Sequence, residues 1–315
     1  MGRRVSGDDK GHAGLYGPDN FGGSGGTVNI LLTGATGYLG SCLAQMLLAE
    51  GHTVSCIVRD VNRLNRLAPF SNKVNLVSIE QIKPCMEQLK CEMVVHTACT
   101  YARGSNTIED VIAGNLTFPL RVLQIAAEAG VQRWINTGTG LPSQVNSYAL
   151  AKKQFAQWGE RYGKGGMLQF IELQLEHFYG PNLPEENFLA WVTYKLKKNM
   201  PLELTEGKQR RDFISIYDVL RTYRTVIDAN FAEPYLEIPV GSGISVSLRE
   251  VVEYLKERIA SQSLLQFGAI PYREFEPDSC CNVEKMKSLG IKSTIYWKDG
   301  MQASLVMNES TTNKL

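Results

Sequence analysis

The chain has 315 residues, 43% hydrophobic and 21% charged, enough to bury a sizeable core as one large domain or a domain with an appended lobe. Its net charge of +1 gives no electrostatic excess for nucleic acid or an anionic membrane surface. No apolar run reaches spanning length, and the seven cysteines are odd in number and lack a CxxC pair, which predicts a cytoplasmic protein without a disulfide framework or metal site.

Residues 1–26 hold nine of the 29 glycines and no apolar periodicity, and read as a flexible leader outside the fold. From Val28 the pattern alternates. "VNILLT" is a strand, and "YLGSCLAQMLLAE" a helix stopped by Gly51. "HTVSCIVR" and "VNLVS" are strands, "IKPCMEQLK" a short helix, and "EMVVHTA" a fourth strand. Residues 106–130 form one long helical segment that Pro119 should bend. "RWINTGT", "SYALAKKQFAQWGERYG" and "LQFIELQLE" follow as strand, helix and strand. Such repeated β-α-β units predict an α/β fold, a doubly wound, Rossmann-like parallel sheet over residues 27–180. Residues 181–315 would form mainly a smaller substrate-binding lobe, with helices at "NFLAWVTYKLKK" and "LREVVEYLKERIA" and some segments returning to the main sheet.

"TGATGYLG" falls between the first strand and first helix. Gly34 permits the turn, Gly37 lets backbone approach a pyrophosphate, and Gly40 lets the helix pack closely on the strand. Gly34, Thr36, Gly37, Tyr38, Leu39 and Gly40 are therefore the candidate dinucleotide contacts. The second strand ends at Arg59, where an NAD enzyme would carry an acid for the ribose. Arg59, with Arg63 and Arg66 one and two helical turns on, suits a 2′-phosphate and favours NADP(H) over NAD(H). The alternative makes Asp60 the ribose acceptor.

Tyr148 and Lys152 stand at i, i+4 and share one helical face. A lysine beside the phenol would lower the tyrosine pKa and make Tyr148 a proton donor to a carbonyl oxygen. "YKLKK" repeats the pattern at Tyr194 and Lys198, but beyond the last βα unit, where a surface tyrosine is the simpler reading. Thr139 is the candidate second donor to the substrate oxygen, with Thr137 a structural rival.

Together the glycine loop, the Tyr148/Lys152 pair and the upstream threonine resemble the extended short-chain dehydrogenase/reductase family over residues 28–300. That resemblance implies further roles. "VVHTAC" places Ala98 beside the cofactor, and Asn115 supports the lysine through a backbone kink and water. "HFYGP" closes over the nicotinamide. "RRDFISIYDV", "YREFEPD" and "ENF" assign Arg211, Arg273 and Asn187 to a nucleotide-sugar diphosphate. Within the family, "INTGTGLPSQVNSYALAKKQFAQW" and "VVHTACTYAR" look most like the CDP-abequose synthase type, NADPH-dependent 4-ketoreductases of deoxysugar biosynthesis. The resemblance also implies a homodimer. Thr139 and Tyr148 are only nine positions apart, and the third strand ends in "SIE" rather than aspartate, both departures from most extended members. Gly140 and Leu141 stand where 4,6-dehydratases carry an Asp-Glu pair, which argues against dehydration. An NAD-dependent 4-epimerase is the alternative enzyme, and a non-catalytic nucleotide-binding scaffold the alternative of another class.

Overall fold

A computed structural model describes residues 26–312, so apart from Gly26 the leader expected at the N-terminus lies outside the described residues. Near-continuous apolar runs suit strands that are buried on both faces, and the main sheet is built from them. Its members are β1 (Asn29–Thr33), β2 (Thr53–Ile57), β3 (Asn75–Val77), β4 (Met93–His96), β5 (Arg133–Thr139), β6 (Gln169–Leu175) and the late strand β10 (Tyr235–Val240). All seven are parallel, in the order β10-β6-β5-β4-β1-β2-β3. The order reverses between β1 and β4, which opens a crevice at their carboxyl ends.

Helices cover both faces. α1 (Tyr38–Ala49), α7 (Ile216–Asp228) and the short α9 (Glu284–Ser288) pack over one core, through Leu43, Leu47, Val219, Tyr223 and Met286. α2 (Ile82–Gln88), α4 (Phe118–Glu128) and α5 (Ser147–Lys164) cover the other, where Trp134, Phe155 and Phe170 meet. A third core lies in the lobe. It joins α6 (Phe188–Lys197), α8 (Leu248–Ile259) and α10 (Trp297–Thr312) to the short strands β7 (His177–Tyr179), β8 (Leu202–Leu204), β9 (Arg210–Ser215), β11 (Ser245–Ser247) and β12 (Leu265–Phe267). The chain crosses into this lobe after β6 and returns through α7 and β10, so residues 181–315 serve both bodies.

Two local expectations need correcting. The long segment opens as α3 (Ile108–Ile112), capped by Thr107 and Asp110, but the irregularity precedes Pro119. Residues Ala113–Thr117 form a π-helical turn, and Pro119 sits in the first turn of α4. Proline has no N–H to give and its ring crowds the carbonyl four residues back, so the ladder widens ahead of it. Arg63 and Arg66 do not continue a helix from Arg59 either. Residues 59–64 form a turn in which Asp60 accepts from the Asn62 N–H at 2.8 Å, and a 3₁₀ helix begins only at Asn65.

Candidate active site

The glycine loop crosses the crevice at the end of β1. Gly34 has φ of +74°, a left-handed conformation that costs any other residue, and a Cβ there would meet the Ala98 nitrogen at 2.5 Å. A Cβ on Gly40 would lie 2.1 Å from the Gly34 carbonyl oxygen, so the α1 backbone needs glycine to pack on the turn. Gly37 is exposed and is the N-cap of α1, with no side chain capping the helix. Its missing Cβ would meet only the Gly34 oxygen, at 3.3 Å, so the backbone can approach a ligand there. Uncapped N–H groups at a helix start, in the crevice where sheet order reverses, fit a dinucleotide pyrophosphate. Thr36 lies in this loop, while Tyr38 and Leu39 point into the core, Tyr38 stacked on Phe178 with the Arg66 guanidinium over its ring at 5.4 Å.

Thr33 ties the two lips of the crevice together. Its hydroxyl meets His96 Nδ1 at 2.7 Å and accepts from the Ala98 N–H at 3.2 Å, which fixes Ala98 against the glycine turn. Arg59 and Arg63 are both exposed past the end of β2, and neither side chain has an ion pair with another described residue.

The other half of the site stands where β4, β5 and β6 end. Asn146 caps α5 by accepting from the Ala149 N–H at 2.8 Å, and this sets Tyr148 in the first turn with Lys152 one turn on. Lys152 is buried, and among the described residues neither its ammonium nor the Tyr148 hydroxyl has a hydrogen-bonding partner. Thr139 closes β5, buried, its hydroxyl accepting from the Leu141 N–H at 3.2 Å. Thr137 faces the α7 layer and meets the Tyr223 hydroxyl at 2.5 Å. Asn115 lies in the π-helical turn, buried, where it donates to the Thr100 and Val111 carbonyls at 2.7 and 2.9 Å. It also accepts from the Thr100 N–H at 3.1 Å, binding the loop after β4 to the turn. Tyr194, by contrast, is exposed on α6 in the lobe.

The electrostatics differ from the sequence expectation. Burial holds the Tyr148 phenol well above its ordinary pKa, Cys99 and Tyr101 push the same way, and the cation that draws it down is Arg103 rather than Lys152. Burial lowers Lys152, against the pull of Cys99 and Glu172. Beneath them Glu172, on β6, is pushed up to about 7, first by burial, while Asn136 donates to it at 2.6 Å. Buried His96 is driven well below its usual range by burial and by Lys152, and so stays neutral.

The substrate candidates lie on the lobe side. Arg211 is buried and pairs with Glu276 at 2.9 Å while donating to the Pro277 carbonyl at 2.5 Å. Arg273 is exposed in the loop just before that glutamate. Asn187 caps α6, accepting from the Leu189 N–H at 2.9 Å. The sequence reading did not single out four further residues. The Tyr101 ring lies 5.0 Å from that of Tyr148, and Arg103 covers Tyr101 at 5.2 Å and reaches the Glu186 carbonyl at 3.5 Å. Glu172 and Glu176 both lie on or just beyond β6. An acid in the middle of an apolar central strand was the available signal for Glu172. The loop residues carried none, because their contacts depend on the tertiary path.

This cradle beside a Tyr/Lys helix has its counterpart in family-level similarity. Residues 30–238 match the model of the NAD dependent epimerase/dehydratase family, and the chain belongs to that family of extended short-chain dehydrogenases/reductases. Among curated proteins it is 28% identical over 288 residues to the CDP-abequose synthase of Salmonella muenchen, covering 89% of this chain and 98% of that one. Among solved structures it resembles UDP-glucose 4-epimerase from Thermotoga maritima, at a TM-score of 0.78 and 20% identity, covering 91% of this chain and 100% of the other. It likewise resembles UDP-glucuronic acid 4-epimerase from Bacillus cereus, at a TM-score of 0.79 and 18% identity over 90% and 100% of the two chains. No helix among the described residues is long and apolar enough to cross a membrane.

Proposed function

We propose that the protein reduces the C4 ketone of a nucleotide-activated deoxysugar, a CDP-4-keto-3,6-dideoxyhexose or a close analogue, with NADPH. The observation that carries this reading is the pair of unpartnered polar groups, Tyr148 and Lys152, at the same sheet edge as the glycine cradle. Similarity to CDP-abequose synthase across nearly the whole chain supports it. When bound, the nicotinamide would supply a hydride to the ketone carbon. Tyr148 gives its proton to the ketone oxygen, Thr139 donates a hydrogen bond to the same oxygen, and Lys152 holds the nicotinamide ribose. A phenol kept protonated by burial is the form this direction needs, and an alkoxide is basic enough to take its proton. Asn115 fixes the loop that carries Cys99 and Tyr101 over this pair. Asn187, Arg211 and Arg273 are the diphosphate contacts in this reading, Arg211 having to exchange Glu276 for phosphate. Incubation with NADPH and the 4-keto sugar nucleotide should extinguish nicotinamide fluorescence. Absence of turnover with both CDP- and dTDP-linked 4-keto sugars would sink the reductase.

Cofactor choice is set at Arg59. Its neighbour Asp60 is occupied in its own turn, which leaves the exposed guanidinium to meet a 2′-phosphate. Arg59→Asp should move the NADPH/NADH affinity ratio toward NADH by roughly one to two orders of magnitude, the loss of a charge-assisted contact. Titration of both nucleotides against each protein checks it, and an unmoved ratio removes Arg59 from the cofactor site. The structural likeness to 4-epimerases favours one rival, an epimerase that keeps its NAD. NAD carried through purification would put that reading first.

A homodimer is part of the proposal. Ile108 and Ile112 on α3 are exposed, as are Leu150 and Trp158 on the adjacent α5, an apolar face left uncovered by the described residues. Trp158→Glu should yield a monomer in sedimentation, while a wild-type monomer would end the idea.

A further inference from the structure

We propose that Glu176 is a specificity-determining residue that accepts hydrogen bonds from a neutral sugar ring and repels a sugar bearing its own carboxylate. The inference rests on the nucleotide-sugar reading above and narrows its substrate to uncharged sugars. Glu176 follows directly on β6, one step beyond the register that pairs Thr139 with Leu175. Gly140 donates to the Leu175 carbonyl at 3.0 Å, so Glu176 stands beside the residue that follows Thr139. The position of its carboxylate is defined by two glycines. A Cβ on Gly140 would lie 2.8 Å from Oε1, and a Cβ on Gly241, past the end of β10, would lie 3.0 Å from Glu176 Cγ. The carboxylate therefore occupies a notch that alanine at either position would crowd.

It is also left without a partner. The Glu176 side chain is only 10% exposed, yet among the described residues no group donates a hydrogen bond to it, and its one ionic neighbour is His177 at 3.9 Å. Asp212, a short distance away, shows the contrast. It accepts from Ser242, Gly243 and Cys281 and is thereby satisfied within the fold. A carboxylate with little access to water and no donor from the described residues keeps its acceptor positions open, and a ligand hydroxyl would fill one of them. With Thr139 as the donor assigned to the ketone oxygen, the donor offered to Glu176 is a ring hydroxyl of the same sugar, which in a 4-keto-3,6-dideoxyhexose is the one at C2. A uronic acid would instead bring a second carboxylate into this poorly solvated notch.

The test measures binding to the full chain with NADPH present. CDP and UDP are titrated first, and the glucose and glucuronate esters are then compared on whichever base binds more tightly. Wild type should bind the neutral ester at least about tenfold more tightly than the uronate, because like charges meet at low solvation. Glu176→Gln should bring the two within about twofold, chiefly by improving the uronate, with nucleoside diphosphate affinity unchanged. Glu176→Ala should narrow the gap as well while weakening the neutral ester. Equal binding of both esters by wild type overturns the proposal even if neither variant folds, and so does a gap that survives both substitutions. Failure of wild type to bind any nucleotide or nucleotide sugar would bring down the functional reading itself, a result distinct from either.

Discussion

Tyr148→Phe is expected to lower turnover of the 4-keto sugar nucleotide by roughly 10²–10⁴-fold, the usual range for losing a positioned proton donor. That is about 3–5 kcal/mol of transition-state stabilisation. The substitution deletes one oxygen. The ring contact with Tyr101 at 5.0 Å is available to phenylalanine as well, and no hydrogen bond among the described residues is lost with the hydroxyl. Stability and nicotinamide affinity should therefore hold while turnover falls. Single-turnover kinetics with saturating NADPH would isolate the step. A variant with unchanged turnover removes Tyr148 from the chemistry, and one that also loses the cofactor assigns the phenol to binding instead.

The two halves of this site differed in how openly the sequence displayed them. The cradle was legible because its chemistry is local. Gly34, Gly37 and Gly40 act through backbone geometry set by one strand-turn-helix stretch, and β1 and β4 announce themselves as apolar runs. The lobe was less legible because β7, β8, β11 and β12 are three residues each, too short to show a period. Nor does periodicity reveal that Arg211 meets Glu276, a partner 65 positions away. The electrostatics of Tyr148 were misjudged for a related reason. Helical spacing correctly put Lys152 on the same face, but burial and the loop bearing Cys99, Tyr101 and Arg103 decide the phenol's pKa, and that loop is placed by the Asn115 turn. Spacing identifies which groups are neighbours, whereas solvation determines what they do to one another.

Glu172 gives the second large expected effect, because it is buried within the sheet and in electrostatic reach of Lys152. It is 1% exposed, held by Asn136, and its carboxyl is pushed up to about 7 from an ordinary 4.5. Gly138 makes room for it, since a Cβ there would collide with Oε1. The folded state therefore binds this proton more tightly than the unfolded chain does. The contribution is fully present below the unfolded pKa and is lost as pH rises through the folded one, between about 4.5 and about 7. The full loss amounts to about 3 kcal/mol. Glu172→Gln imitates the protonated carboxyl and cannot ionise. It should match wild type near pH 4 and exceed it in stability at pH 8 by up to that amount. Lys152 argues for why a carboxylate is nonetheless tolerated there. Burial drives the ammonium to give up its proton, and Glu172 opposes that, so Glu172→Gln should also shift the alkaline limb of activity to lower pH. Thermal unfolding across pH 4–8 settles the first point and the pH-rate profile the second. Parallel stability curves for the two proteins would mean that Glu172 does not titrate in this range, and that the buried charge is balanced by a neighbour rather than neutralised by a proton.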